Sequence, residues 1–263
     1  MIVIDFDGTI ADTFQQSLNG VGVAEAYQSA ILSIFGEKGC DLYRKSGGLK
    51  NRTPTEVIAE LLASAQNCKE EIVANAKIFH EKESKNLSGL VSKGKGAGLV
   101  WGKANPEPVM TEMLVLKKLQ ILTKEICPQW PKPFVGVVFF LTQCWQHNVK
   151  VAILSSGHQI FIENVFRMWG VQCPTTIVTD DDLRGKIPYL SKPDAKLIEV
   201  VEKATGDRSN IYLGDDPVKD GELAVNAGIA FGWFNPLQKK FFGVLPKNTL
   251  QFQSWGELSK CLF

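Results

Sequence analysis

The chain opens with MIVIDFDGTIADT, residues 1–13, and this stretch decides how the rest of the sequence is interpreted. Its three apolar residues, Ile2–Ile4, are typical of a strand that is buried on both faces of a parallel sheet. Asp5 and Asp7 follow this strand directly, ahead of a glycine and a threonine that permit a tight turn. The structural alternative is an ordinary strand end with an Asx-type turn that leads into a capped helix.

Later apolar runs end in the same way, in a polar or glycine-containing turn: Val151–Leu154 before Ser155, Thr176–Val178 before Thr179, and Ile211–Leu213 before Gly214. Segments with helical character lie between them: Ile160–Trp169, Ala195–Ala204 with Pro193 at the first helical position, and Gly221–Asn226 followed by Gly228. This alternation predicts an α/β fold with a doubly wound, Rossmann-like parallel sheet. Because ligands bind beyond the carboxyl ends of such strands, we expect Asp5, Ser155 and Asp215 to meet in space.

Residues from about 15 to 130 interrupt the alternation, because they carry helical periodicity and no convincing strand. One helix is marked clearly: Thr53, Pro54 and Glu56 form a capping box ahead of an apolar run. We therefore expect a catalytic core of residues 1–14 and 131–263 with a mainly α-helical insertion at 15–130. The proline-rich stretch PQWPKPF, residues 128–134, is interpreted as the linker that returns to the core.

Composition excludes several classes of protein. The 263 residues, 44% hydrophobic and 22% charged, are typical of a globular protein, and the net charge of +1 provides no basic footprint for a nucleic-acid polymer. None of the six cysteines falls in a Cys-x-x-Cys spacing, which disfavours a zinc or disulfide scaffold. The longest apolar stretch, Phe134–Leu141, is far shorter than the roughly 20 residues of a bilayer span. We expect a cytoplasmic protein with no membrane partner, as a monomer or homodimer.

A nucleotide-binding loop is also disfavoured. The stretch Ser88–Pro108 is rich in glycine and lysine and is predicted to be a loop or weak hairpin. A P-loop needs Gly-x-x-x-x-Gly-Lys followed by Ser or Thr, whereas Gly102-Lys103 is followed by Ala104, and Ala97 stands in place of the first glycine.

Four segments resemble, in order, the four signature motifs of the haloacid dehalogenase superfamily: DFDGT at 5–9, VAILSS at 151–156, SKPD at 191–194 and LGDDPVKD at 213–220. The resemblance covers residues 1–13 and about 134–235. It implies a magnesium-dependent phosphohydrolase core, with the helical insertion acting as a cap that selects the substrate.

The resemblance assigns roles to the aspartates. It implies that Asp5 is the nucleophile, that Asp7 is the general acid and base, and that Mg²⁺ is held by the side chains of Asp5 and Asp215 and the backbone carbonyl of Asp7. Physical reasoning agrees, because neighbouring carboxylates at one sheet edge repel unless a cation compensates them. Asp216 or Asp220 is expected to support the metal from outside its direct ligands.

The phosphoryl group is expected to be bound by Ser155, Ser156 and Lys192. Lys192 is preferred over Lys186 because it precedes Pro-Asp and a clear helix start. Each residue has an ordinary alternative, since a serine at a strand end usually forms a turn and a lysine is usually a solvated surface charge.

Other polar residues carry weaker expectations. Arg44, Lys50 and Arg52 in the insertion are candidates for contact with an anionic substrate, although a solvated helix connection is the preferred interpretation. His158 is assigned no role, and the run Asp180–Asp182 is interpreted as a solvated turn.

The function expected from these observations is a Mg²⁺-dependent phosphomonoester hydrolase that forms an aspartyl-phosphate. Its substrate would be a small phosphorylated metabolite, such as a phosphoglycolate-like acid, a sugar phosphate or a nucleotide. The acid at Asp7 argues against carbon–halogen cleavage, because the related dehalogenases lack it. A phosphosugar mutase shares every core residue, and a catalytically silent binding protein of the same fold is a third hypothesis.

Overall fold

The computed structural model describes residues 1–13, 22–48, 52–90, 99–102, 105–125, 130–183 and 190–263. These residues form two compact units. We call the described parts of 1–13, 130–183 and 190–263 the core unit, and the described parts of 22–125 the helical unit.

The core unit is built on a parallel sheet. Its strands are β1 (Ile2–Ile4), β2 (Val151–Ser155), β3 (Thr176–Thr179), β4 (Ile211–Gly214), β5 (Ala230–Phe234) and β6 (Leu250–Phe252). Their spatial order is β3-β2-β1-β4-β5-β6, and every neighbouring pair is parallel. The predicted doubly wound α/β fold is therefore confirmed. The burial of all three residues of β1 and all five of β2 explains their continuous apolar runs.

The register of the central strands determines which loops meet. Ile4, the last residue of β1, lies opposite Ile153 of β2 and Leu213 of β4. The next residue, Asp5, donates its backbone N–H to the carbonyl of Leu213 at 2.8 Å. The loops that follow β1, β2 and β4 therefore leave the sheet side by side at its carboxyl edge.

The helical unit contains α1 (Val23–Lys45), α2 (Pro54–Ser64), α3 (Lys69–Ser88) and α4 (Glu107–Glu125), which share one buried apolar cluster. The capping box predicted for α2 is confirmed: Glu56 donates its N–H to the Thr53 hydroxyl at 3.2 Å, and the Glu56 carboxylate accepts the Thr53 N–H at 2.7 Å. Within α1 the backbone of Gly36 is non-helical, with φ 73°. The Asn75 amide donates to the Phe35 carbonyl beside this break at 3.2 Å.

The helices of the core unit are α5 (Val137–Gln146), α6 (Gln159–Trp169), α7 (Asp180–Leu183), α8 (Lys196–Thr205), α9 (Lys219–Ala227) and α10 (Trp255–Leu262). The prediction that Pro193 opens α8 is wrong. The helix begins at Lys196, whose N–H is accepted by the Asp194 carboxylate at 2.9 Å. No helix in the described part of the chain is long and apolar enough to cross a bilayer.

Candidate active site

Three carboxylates meet at the carboxyl edge of the sheet. Asp5 follows β1, Asp215 follows β4, and Asp220 lies in the first turn of α9. Each offers one oxygen, and the three oxygens all lie within 4.8 Å of one another. Asp220 is only 1% exposed and Asp5 8%, so both acids are almost completely withdrawn from water.

The local sequence explains how these acids come so close. Gly214, the last residue of β4, lets the Asp220 carboxylate lie against the backbone, because a Cβ atom at Gly214 would collide with that carboxylate. Thr9, in the turn after Asp5, donates its hydroxyl to the Asp215 carboxylate at 3.3 Å. This hydrogen bond connects the turn at residues 7–9 with the segment at residues 214–216 across the site.

Lys192 is the cation inside this cluster. Its ammonium nitrogen lies 2.9 Å from one oxygen of Asp5 and 2.9 Å from one oxygen of Asp220. The Lys192 side chain is 12% exposed. Burial favours its neutral form, but the neighbouring carboxylates outweigh that effect and raise the pKa of Lys192 well above its ordinary value. The ammonium therefore remains charged and neutralises part of the acidic cluster.

One lysine does not balance the charge of these three acids. Burial raises the pKa of Asp5 well above its ordinary value despite the opposing charge of Lys192, and the negative charges of Asp220 and Asp215 raise it further. Burial, followed by the charge of Asp220, raises the pKa of Asp215 to about 6. An additional cation would therefore reduce the electrostatic repulsion among these carboxylates and favour their ionised forms. Hard oxygen donors at this spacing fit Mg²⁺.

Asp7 lies beside the end of β2. The Ser155 hydroxyl donates to the Asp7 carboxylate at 3.4 Å and accepts the backbone N–H of Gly157 at 2.9 Å. A Cβ atom on Gly157 would lie 3.1 Å from the Ser155 Oγ and 3.2 Å from the Asp7 Oδ2. Ser156, next to Ser155, has an exposed side chain. A hydroxyl, a carboxylate and a glycine loop therefore adjoin the acidic cluster.

Residues 103–234 match the family described as haloacid dehalogenase-like hydrolase, and this match spans half of the chain. The chain belongs to that family. The predicted superfamily is therefore confirmed. No curated protein matched the chain by sequence.

Solved structures of haloacid dehalogenase-like (HAD) proteins share the fold along nearly the whole chain. CbbY from Rhodobacter sphaeroides, solved in complex with phosphate, is 15% identical, with a TM-score of 0.56 over 98% of this chain and 95% of that chain. A HAD phosphatase from Thermococcus onnurineus is 17% identical, with a TM-score of 0.53 over 99% and 96%. YfnB from Bacillus subtilis, solved bound to magnesium, is 16% identical, with a TM-score of 0.50 over 99% and 97%. At these identities the likeness shows the fold.

The two acids that follow Asp215 in this hydrolase have different environments. Asp216 accepts the backbone N–H groups of Val218 and Lys219 at 2.9 and 3.1 Å, which is the arrangement of a turn leading into α9. Asp220 instead contacts Lys192 and accepts the N–H of Asp216 at 3.1 Å. Of the two candidates for support of a metal, Asp220 is therefore the one inside the acidic cluster.

The interpretation of Asp180–Asp182 as a solvated turn is wrong. Asp180 and Asp181 are only 7% and 5% exposed, within the short helix α7 that follows β3. Asp181 contacts the Nδ1 of His158 at 2.9 Å and accepts the N–H of Gln159 at 3.1 Å. His158, which was assigned no role from its sequence context, is 2% exposed. This pair holds the start of α6 against the end of β3, and no short-range pattern pointed to it.

The candidate substrate residues of the helical unit already have partners within that unit. Arg44 contacts Asp41 at 3.1 Å, and Arg52 contacts Glu60 and donates to the Ser46 hydroxyl at 3.2 Å. Lys50 lies outside the described residues, as does Lys186, the rival of Lys192 in the third motif.

Proposed function

We propose that this hydrolase is a Mg²⁺-dependent phosphomonoester phosphatase that acts through an aspartyl-phosphate on Asp5. The observation that carries the proposal is the placement of the buried Asp5 carboxylate against Lys192 and Asp215, with Asp7 beside Ser155. A nucleophilic carboxylate, a cationic partner and a separate acid are the groups that phosphoryl transfer through a covalent intermediate requires.

Mg²⁺ would be held by the side chains of Asp5 and Asp215 and by the backbone carbonyl of Asp7, with Asp220 in support. When bound, the metal supplies positive charge that lowers the repulsion between the Asp5 carboxylate and the anionic substrate. The donor set supports this assignment, because it consists of hard oxygens that carry more negative charge than Lys192 neutralises.

In the first step, one carboxylate oxygen of Asp5 attacks phosphorus while the bond to the leaving oxygen breaks. The protonated Asp7 carboxyl transfers its proton to that oxygen, so that the product leaves as an alcohol. In the second step Asp7 accepts a proton from water, which attacks phosphorus and releases inorganic phosphate and free Asp5. The Lys192 ammonium and the Ser155 hydroxyl stabilise the negative charge on the phosphoryl oxygens.

We infer that the helical unit acts as a cap that selects the leaving group and excludes water, as the position of the insertion between the first and second motifs suggests. The substrate is then a small phosphorylated metabolite. CbbY was solved with phosphate and, as a mutant, with xylulose-1,5-bisphosphate, which makes sugar phosphates a sensible first group to test beside phosphoglycolate-like acids and nucleotides.

The test is phosphate release from a panel of phosphomonoesters, with Mg²⁺ and with chelator. Wild type is compared with Asp5→Asn and with Asp207→Asn, a control that removes a carboxylate located before β4, at the other end of that strand. We expect metal-dependent release that is lost in Asp5→Asn and kept in Asp207→Asn. Turnover that needs a bisphosphate activator and frees little phosphate would favour a mutase. If a folded, metal-binding protein released no phosphate from any ester of the panel, this result would contradict the proposal and favour a binding role.

A further inference from the structure

Tyr212 is a buried polar residue beneath the site, and none of the four motifs assigns it a role. It lies in the middle of β4 and is 0% exposed. Its hydroxyl donates to the backbone carbonyl of Leu154 at 3.1 Å, and Leu154 directly precedes Ser155 on β2. A buried hydroxyl loses its hydration on folding, so this bond satisfies it at the strand end that carries the second motif.

The same tyrosine contacts Lys192. The Lys192 ammonium nitrogen lies over the Tyr212 ring, 5.2 Å from its centroid, and the hydroxyl of the same ring interacts with the ammonium electrostatically. An ammonium has three N–H donors. Three groups of the core unit surround the Lys192 ammonium: one oxygen each of Asp5 and Asp220, both at 2.9 Å, and the side chain of Tyr212. The tyrosine is the neutral member of this set, and it is fixed by its own bond to β2.

This arrangement constrains the lysine in a way that the two acids alone do not. Asp5 changes its charge and its bonding when it is phosphorylated, so its hold on Lys192 is interrupted during each turnover. The Tyr212 contact does not depend on the state of Asp5. A lysine side chain has several rotatable bonds and a large rotamer entropy, so a partner that persists through the catalytic cycle limits the number of conformations that the side chain adopts.

We propose that Tyr212 is a positioning residue for phosphoryl transfer, which keeps the Lys192 ammonium between Asp5 and Asp220 and ties it to the strand end that presents Ser155. The inference rests on the proposed phosphatase function. Tyr212 touches no reacting atom and acts through Lys192. Phenylalanine would fill the same space and keep the ring under the ammonium, but it would lose the hydroxyl, with its hydrogen bond to Leu154 and its interaction with the ammonium.

The matched experiment compares Tyr212→Phe with Ser259→Ala. Ser259 also carries a buried hydroxyl that donates to a backbone carbonyl, that of Trp255 at 2.9 Å, and this hydrogen bond lies within α10. Both variants are expected to lose comparable stability. We expect kcat for the preferred ester to fall about tenfold in Tyr212→Phe, with KM changed less than about threefold, because a misplaced lysine loses charge stabilisation chiefly in the transition state. Ser259→Ala should keep the wild-type kcat.

A double-substitution cycle tests whether Tyr212 acts through the lysine. In a Lys192→Met background the further change Tyr212→Phe should leave the residual kcat unchanged, because the group that it positions is gone. Equal kcat values for folded Tyr212→Phe and Ser259→Ala would overturn the inference while leaving the phosphatase function intact. The same tenfold loss with and without Lys192 would also overturn it. A wild type that releases no phosphate from any ester would contradict the proposed function itself.

Discussion

Replacing Asp215 with asparagine should stabilise the metal-free protein although it destroys the activity. The pKa of Asp215 is raised from its ordinary value of 3.8 to about 6, chiefly by burial and next by the charge of Asp220. One pKa unit corresponds to about 1.4 kcal/mol, so the ionised carboxylate destabilises the folded state by about 3 kcal/mol above pH 6. Asparagine removes this charge and keeps an oxygen that accepts the Thr9 hydroxyl.

The sign of the effect determines its pH dependence. Below pH 3.8 the Asp215 carboxyl is protonated in the folded and unfolded states alike, and its destabilising effect is absent. As the pH rises the unfolded chain loses this proton first, so the folded state is progressively destabilised until about pH 6. The advantage of Asp215→Asn should therefore be about 3 kcal/mol at pH 7.5 and should shrink to about 1 kcal/mol at pH 4.5.

Thermal unfolding in chelator at both pH values measures this difference. For a chain of this size, 3 kcal/mol corresponds to a rise in Tm of about 6 to 12 °C. Asp216→Asn is the matched control, because Asp216 accepts two backbone N–H groups and its asparagine replacement is expected to gain nothing. If Asp215→Asn were no more stable than wild type in chelator at pH 7.5, the reasoning that burial and Asp220 strain this carboxylate would be refuted.

Further expectations concern the metal, the loop after β2 and the helical unit. At one fixed concentration, about 100 times its Kd at pH 7.5, magnesium should stabilise wild type by about 2.7 kcal/mol at pH 7.5 and by much less at pH 5, where protons compete with it for Asp215. An equal Tm shift at both pH values would contradict this. Gly157→Ala should lower kcat about tenfold with little change in Tm, because its Cβ would lie 3.1 Å from the Ser155 Oγ; unchanged kinetics would argue against a role for this loop. Thr53→Ala should cost about 1 kcal/mol in urea unfolding through loss of the α2 cap, whereas Thr53→Ser should retain it.

The parts of the fold that were predicted from sequence are those with a strong local signal. Strands β1, β2, β3 and β4 are apolar runs followed by polar turns, and the capping box of α2 fixes a helix start. Strands β5 and β6 were not predicted. In β5 a glycine interrupts the apolar run, and packing favours a residue without a side chain there, because a Cβ atom on Gly232 would lie 2.3 Å from the Leu213 side chain of β4. That requirement arises from packing between strands and is not visible in the sequence of either strand.

The candidate site likewise contains residues that the sequence predicts and residues that it does not. Asp5, Asp7, Ser155 and Asp215 stand directly at or after strand ends, so the topology of a parallel sheet is enough to gather them. His158 and Asp181 form a contact across 23 positions of chain, between the start of α6 and the short helix α7, whose relative placement only the folded sheet determines. A run of three aspartates is usually solvated, and here tertiary packing of the third strand against α6 overrides that expectation.

The charges at the sheet edge explain why the proposed metal would be needed in addition to the lysine. Asp5, Asp215 and Asp220 carry three negative charges when ionised, and Lys192 returns one. The two negative charges that remain would be balanced by one divalent cation. Without that cation, the raised pKa values of Asp5 and Asp215 favour protonation of the cluster. A protonated Asp5 is a poor nucleophile. Metal binding would therefore act partly by expelling protons from the acids, so that activity and metal affinity should rise together as the pH increases through about 6.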